Sequence, residues 1–199
     1  MTELEVRAAT LADLQVVTET ISLAFHDDPT WSWAFPDPAR RQAHYAVFWR
    51  FMIGGAIRYP WVRMTDGGEA VAIWIPPGGT EVAPEDESGY EPLLQELVGS
   101  RSGDVLELLA RFDAAHPQDE PHYYLTLLGT DPLYQRTGAG SAALQPVLDR
   151  CDTEGLHAYL ETQKEANLAF YARHAFELIA KLEIKGLPPM WTMSRKPRG

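Results

Sequence analysis

One stretch narrows the choice of folds more than any other: "HYYLTLLGTDPLYQRTGAGSAALQPVLDRCDTEG", residues 122–155. An apolar run over 122–130 passes through a short polar segment into Gly138-Ala139-Gly140, and a helical pattern over 138–154 follows. That order predicts a central strand feeding a helix, the basic unit of an α/β sheet. The first N–H groups of such a helix have no partner within it, and the helix dipole adds positive charge at the same point. Glycines let an anion approach that bare backbone closely. Pro146, inside the helix, should kink it or open one of its hydrogen bonds.

The flanking segments supply the rest of the sheet. "LEVRAA" (4–9) alternates as a strand does. Thr10 and Asp13 resemble a capping box, after which Leu11, Leu14, Val17, Ile21 and Ala24 share one helical face. "HDDPTWSWAFPDP" (26–38) reads as a loop, and Asp37-Pro38 starts a long helix through Tyr45, Phe48, Trp49, Met52 and Ile53. A hairpin over 61–77 turns at Asp66-Gly67-Gly68, and the Gly-, Pro- and acid-rich segment 78–89 reads as a mobile surface loop. Helices over 90–98, 103–115 and 165–174, a strand over 156–161, and strands near 176–184 and 190–195 complete the pattern. The expected architecture is α/β (α+β): one domain over 1–199 with a mixed, mostly antiparallel central sheet flanked by helices.

Charge limits the partners. At a net −11 over 199 residues the chain lacks the basic footprint that nucleic acid or an anionic membrane surface requires. With one cysteine, no signal-peptide pattern and no membrane-length apolar run, the expected location is cytoplasmic. No metal-ligand spacing stands out. Cys151 has Asp149 and Asp152 for neighbours, which disfavours a reactive thiolate and points to a structural role.

Three kinds of phosphate cradle use a glycine turn ahead of a helix. A P-loop needs Lys followed by Ser or Thr after its second glycine, which is absent here. A dinucleotide fold needs a third glycine, where this chain has Ala143, and needs it after the first strand. The other reading of the turn alone is tight packing.

The flanks favour a further option. Gln135-Arg136-Thr137-Gly138-Ala139-Gly140 resembles the Q/R-x-x-G-x-G/A signature of GNAT acetyltransferases, and "LTLLGTDP" is similar to the fourth strand of that family. "YLETQKEANLAFYARHAFEL" (159–178) resembles its second characteristic segment, a fifth strand followed by Asn-x-x-x-Tyr and a closing Phe. Ala175 departs from the pattern, standing where the family usually has Gly. "VRAATLADL", Pro146 and the ending "WTMSRKPRG" are similar to the puromycin N-acetyltransferase branch.

The resemblance implies acetyl-CoA as acetyl donor, with its pyrophosphate on the backbone of Arg136, Thr137, Gly138, Ala139 and Gly140. Gln135 and the Ser141 hydroxyl would stand beside it. The pantetheine arm would pair with Leu128 and Thr130, with Gly129 easing a bulge or splay there, although an ordinary strand defect reads equally well. Asn167 would hold the arm. Tyr171, four residues on and on the same helical face, would be the general acid. A phenol near pKa 10 is protonated at neutral pH and can donate to a thiolate leaving group.

The base is open among Glu161 at the end of the fifth strand, Asp27, Asp28, His26, His122 and a water chain; Glu161 is the single choice. Phe25, Trp31, Trp33 and Phe35 would either wall an aromatic acceptor pocket, with Asp27 or Asp28 attracting its ammonium, or plug the core. The implied activity is acetyl-CoA-dependent N-acetylation of a small-molecule primary amine by direct attack in a ternary complex. A protein or peptide acetyltransferase, a non-catalytic acetyl-CoA-binding module and a dinucleotide-dependent oxidoreductase are the rivals, and a homodimer is the expected assembly.

Overall fold

The computed structural model describes residues 4–183, 186 and 189–198. Along the chain run β1 (Val6–Ala8), α1 (Leu14–Ala24), α2 (Pro29–Ala34), α3 (Pro38–Ala56), β2 (Val62–Thr65) and β3 (Ala70–Ile75). Then come α4 (Glu87–Val98), α5 (Ser102–Ala115), β4 (His122–Thr130), α6 (Ala139–Glu154) and β5 (His157–Thr162). The chain closes with α7 (Leu168–Arg173), β6 (Glu177–Leu182) and β7 (Met190–Arg195). The seven strands lie in the order β1-β2-β3-β4-β5-β7-β6, antiparallel throughout except for β4 and β5. No helix among the described residues is long and apolar enough to cross a membrane.

Strand β3, AVAIWI, is buried at every position because helices cover both faces of the sheet. Val71, Ile73 and Ile75 point into one core with Val17 and Ile21 of α1 and Phe48, Trp49 and Ile53 of α3. Ala70, Ala72 and Trp74 point into the other, against Ala143, Leu144, Val147 and Leu148 of α6. Pro146 lies inside α6, as the sequence places it.

The feature that makes room for a site is a defect in β4. Opposite β3 the register jumps from Ile73↔Leu127 to Trp74↔Leu125, so Thr126 is an extra residue, a β-bulge. It reverses the alternation of the strand: Tyr123 and Leu125 pack on the α6 side, whereas Leu127 joins the opposite core. On its other edge β4 pairs with β5 only from His122↔His157 to Leu125↔Leu160. Beyond that point the two parallel strands part, and the edge of β4 from Thr126 to Thr130 faces a cleft.

Two segments differ from the expectation. The stretch 26–38 contains α2, with Asp28 as its N-cap accepting from the N–H groups of Thr30 (3.0 Å) and Trp31 (3.2 Å) and with Pro29 at its first turn. Asp28-Pro29 thus repeats the chemistry of Asp37-Pro38. The segment 78–89 is tied down rather than free. Arg58 donates to Thr80 O (2.6 Å) and Thr80 Oγ1 (2.7 Å), Thr80 N–H donates to Tyr59 OH (3.1 Å), and α4 already starts at Glu87. Expected strand residue 184 lies outside the described residues.

Candidate active site

Where β4 and β5 part, two cavities meet. The first, about 690 Å³, runs along the N-terminus of α6 and is bounded by Leu128, Thr130, Gln135, Arg136, Gly138, Gly140 and Ser141 on one side. Lys164, Asn167, Phe170, Tyr171 and Arg173 bound it on the other. The second, about 280 Å³, lies across the sheet edge between α2, α3, α5 and the bulge. Phe25, Asp28, Leu128, Asn167 and Tyr171 belong to both, so a ligand in each would touch at these residues.

The first cavity suits a long anionic ligand. Gly138 has φ +96° at the N-cap of α6 and Arg136 has φ +64°, so the turn directs its N–H groups outward in conformations that only glycine adopts without strain. A Cβ on Gly138 would meet no atom within 4 Å, whereas one on Gly140 would lie 3.0 Å from Thr130 Oγ1. The backbone is bare where an anion would approach. In a chain of net charge −11, three cations (Arg136, Lys164 and Arg173) line this groove. The side chains of Thr137 and Ala139 do not: Thr137 Oγ1 donates to Tyr134 O at 2.6 Å, and Ala139 is buried in the core beside α6. Only their backbone is available. Ser141 Oγ lies 2.9 Å from His174 Nε2, so its hydroxyl is already engaged.

Gly129 has a role other than easing a bend. A Cβ there would lie 2.8 Å from Ile21 Cδ1 and 3.1 Å from Ala24 Cβ, so its missing side chain lets α1 approach the sheet; the bulge itself sits at Thr126.

Asn167 ends the 3-10 turn Glu165–Asn167 and donates through Nδ2 to Thr162 Oγ1 at 3.2 Å. Tyr171 is buried, with its ring edge-on to Phe170 and Phe176. Burial raises its phenol above the ordinary range, which keeps it protonated. It is held by the end of α7: Phe176 N–H donates to Tyr171 O (3.1 Å) and Ala175 N–H to Ala172 O (3.0 Å), a Schellman motif with Ala175 at φ +65°.

The lining of the second cavity is both aromatic and acidic. Phe25, Trp31, Trp49, Tyr90 and Phe112 wall it, while Glu81, Asp113 and Glu161 supply carboxyls. Trp33 is absent from this lining. Two residues apart on a helix, Trp31 and Trp33 point to different sides, and Trp33 instead lies under the Arg101 guanidinium, 4.7 Å from its ring. Phe35 is core, packed edge-on against Tyr45. Asp28 reaches both cavities, but its carboxylate is committed as the α2 cap and stands 3.6 Å from Lys164 Nζ. Burial nevertheless raises its pKa against the pull of Lys164.

Glu161, with a side chain 5% exposed, has an Oε1 without a hydrogen-bond partner among the described residues. Glu81 bonds to the Thr126 hydroxyl on the bulge, and burial pushes its carboxyl up to about 7. Gly55 of α3 holds it there, because a Cβ on Gly55 would run into the backbone of Glu81–Ala83, 2.9 Å from Ala83 N. Of the other candidate bases, His122 lies outside this cavity, while His26 and Asp27 stand together on the surface. Sequence reasoning missed Glu81, Asp113, His116 and Tyr124 here and Lys164 and Arg173 in the groove. Gly55, inside a helix, was the one available signal. Cys151 is buried, which pushes its thiol up to about 12. Among the described residues no group of three His, Cys, Asp or Glu side chains is arranged to hold a metal.

The profile of the acetyltransferase (GNAT) family matches residues 23–176. A crystal structure of histone acetyltransferase HPA2 and related acetyltransferase from Corynebacterium glutamicum superposes with a TM-score of 0.73 at 25% identity, covering 100% of this chain and 98% of that one. The polyamine N-acetyltransferase of Drosophila melanogaster, which forms N-acetylagmatine, has a TM-score of 0.62 at 14% identity over 98% and 100%. Arylalkylamine N-acetyltransferase 2 from Aedes aegypti has a TM-score of 0.66 at 11% identity over 99% and 100%; at such identities the likeness is one of fold.

Proposed function

This chain belongs to the acetyltransferase (GNAT) family and is an acyltransferase, and on that footing we propose that it moves an acetyl group from acetyl-CoA to the primary amine of a small molecule by direct attack in a ternary complex. The observation that carries the proposal is the meeting of the two cavities at Phe25, Asp28, Leu128, Asn167 and Tyr171. Two ligands side by side can react there without a covalent enzyme intermediate, and the buried Cys151 thiol belongs to neither lining.

The groove along α6 fits acetyl-CoA, which supplies the activated thioester when bound. The N–H groups of the Arg136–Gly140 turn, with the Arg136, Lys164 and Arg173 cations, would hold its phosphates. The free edge of β4 at Leu128 and Thr130 would hold its amide-rich arm as an added strand. Tyr171 would donate a proton to the departing sulfur, and Glu161 would take one from the acceptor.

Aromatic residues and carboxyls in one lining favour an acceptor that carries an aromatic or nucleoside-like body beside its ammonium, the kind of amine that the puromycin branch modifies. Polyamines and arylalkylamines, acceptors of structural neighbours, are the comparison set. The enclosed shape of the cavity disfavours a peptide acceptor.

The test is release of CoA thiol from acetyl-CoA with puromycin, an arylalkylamine and a polyamine, for wild type and Tyr171→Phe. Expected are turnover with the aromatic amines and a fall of about 10²-fold or more in the variant, with acetyl-CoA affinity retained. Undiminished turnover by Tyr171→Phe would remove that residue as the acid, and no release with any amine would favour a binding module.

A further inference from the structure

Joining an acetyl thioester to an ammonium yields an amide, a thiol and one net proton, which must leave an enclosed cavity. Among the described residues Glu161 Oε1 is buried without a hydrogen-bond partner, and it faces His116 Nδ1 at 3.8 Å. His116 caps α5, and its Nε2 lies 2.8 Å from Nε2 of His122, whose Nδ1 lies 2.7 Å from Glu120 O. His122 lines a third pocket of about 570 Å³, formed by residues 75–81 and 116–122, which is more open to solvent. That pocket and the acceptor cavity share Glu81, Asp113, His116 and Tyr124, so His116 stands in the wall between them.

The hydrogen bonds fix the tautomers. A carbonyl can only accept, so His122 carries its proton on Nδ1. With both rings neutral, His122 Nε2 is then bare and must accept from His116 Nε2–H. That leaves His116 Nδ1 bare, facing Glu161, and a proton placed on Glu161 has an acceptor next in line. The 3.8 Å gap is one that a small movement on acceptor binding, or one water, closes.

We propose that Glu161, His116 and His122 form a relay that carries the proton of the acceptor ammonium out of the acceptor cavity to the solvent-facing pocket. The proposal rests on the acetyl-transfer reading above. An N–H bond of the ammonium breaks, and its proton goes to the Glu161 carboxylate and then to His116 Nδ1. His116 gives its Nε2 proton to His122 Nε2, and His122 releases its Nδ1 proton to water. Exchange with water in the solvent-facing pocket, which both rings line, returns them to their starting tautomers and the His122 Nδ1–H to the Glu120 carbonyl.

The surroundings suit the role. Glu81 and Asp113 face the rings from the 76–86 loop and α5, and Tyr124 and Tyr159 pack edge-on to His116 at 4.6 and 5.0 Å. Glu120 and His157 flank the outer end, 3.5 Å apart. Burial holds the His122 imidazole below its usual range, and the neighbouring His116 and His157 rings lower it further against the pull of the Glu120 carbonyl and Glu161, so it returns its proton readily.

The test compares wild type with His116→Gln and His122→Asn. A relay lowers kcat about 10-fold or more near pH 7, leaves the acetyl-CoA KM unchanged, and the deficit shrinks as pH rises toward the pKa of the amine, where free amine needs no relay. Added imidazole should restore part of the loss in His122→Asn. A kcat deficit equal at every pH, or a wild-type profile in both variants, overturns the relay. A readout independent of turnover is the tautomer of each ring, read by NMR of the imidazole nitrogens in the full chain at a pH where both are neutral. In wild type His116 should carry its proton on Nε2 and His122 on Nδ1. The reverse tautomers overturn the proposal. If wild type acetylates no amine, the acetyl-transfer reading fails, and the proton path itself then stands or falls on the tautomers.

Discussion

Ala175 occupies a backbone conformation that favours glycine, so replacing it should stabilise the protein. At φ +65° it is the αL residue of the Schellman motif that ends α7. The left-handed region costs an L-residue roughly 1–2 kcal/mol. Glycine removes that cost but has more freedom to lose from the unfolded chain, about 0.4–1 kcal/mol. The balance for Ala175→Gly is a gain of about 0.8 kcal/mol, or about 2–3 °C in Tm for a chain of this size. The reciprocal change is available at the end of α6. Gly155 caps that helix at φ +68°, and a Cβ there would meet no atom within 4 Å. Gly155→Ala therefore adds strain without a clash and should lose about the same amount. Urea unfolding of the two single variants and the double variant measures this, and the double should return close to wild type. If Ala175→Gly lowers stability, backbone strain is not what distinguishes this position, and the argument from φ fails.

Three further outcomes follow from named contacts. Burial raises the Glu81 carboxyl to about 7, so the folded protein binds that proton more tightly than the unfolded chain does. The stability this provides is complete below about pH 4.5 and is lost as pH rises through about 7. Glu81→Gln should match wild type at low pH and exceed it by up to about 3 kcal/mol at pH 8, while parallel stability curves would refute the assignment. Gly129→Ala puts a Cβ 2.8 Å from Ile21 Cδ1 and should cost about 1–3 kcal/mol by overpacking, read as a lower urea midpoint with an unchanged slope. Tyr171→Phe should keep the fold and the acetyl-CoA affinity while losing about 10²-fold or more in kcat.

The proposed donor half of the site is legible because its residues are close together in the sequence. The strand end at Leu128–Thr130, the turn at Arg136–Gly140 and the helix start of α6 are contiguous, and Asn167 with Tyr171 lies within one helical turn. Spacing alone therefore puts these groups side by side, while their proposed donor role comes from the resemblance of the two segments to the family. Even there the finer assignments depended on tertiary neighbours: Gly129 serves α1, and the bulge belongs to Thr126, which carries no sequence mark. The stretch 26–38 reads as a loop, yet it holds α2, because Asp28-Pro29 has the same capping chemistry as Asp37-Pro38.

The acceptor half is assembled from separate segments, each with a different local reading. Glu81 comes from a stretch that looks like solvent loop and is pinned by Gly55 and Arg58. Asp113 and His116 come from the end of α5, Tyr124 and Thr126 from a strand whose alternation is inverted by its bulge, and Glu161 from a strand end. No window of sequence contains two of these groups in a spacing that announces chemistry. His122 shows the consequence. On its own, beside Pro121, it reads as a solvated imidazole, and only its 2.8 Å contact with His116 makes it the outer end of a path that begins at Glu161. On the proposed function, one short motif suffices for the donor because acetyl-CoA always presents the same phosphates and the same arm. The acceptor surface must differ wherever the amine differs, so its specificity is written in contacts between distant segments. Substitutions at Glu81, Trp31 or Tyr90 should accordingly change which amine is accepted while leaving acetyl-CoA affinity in place.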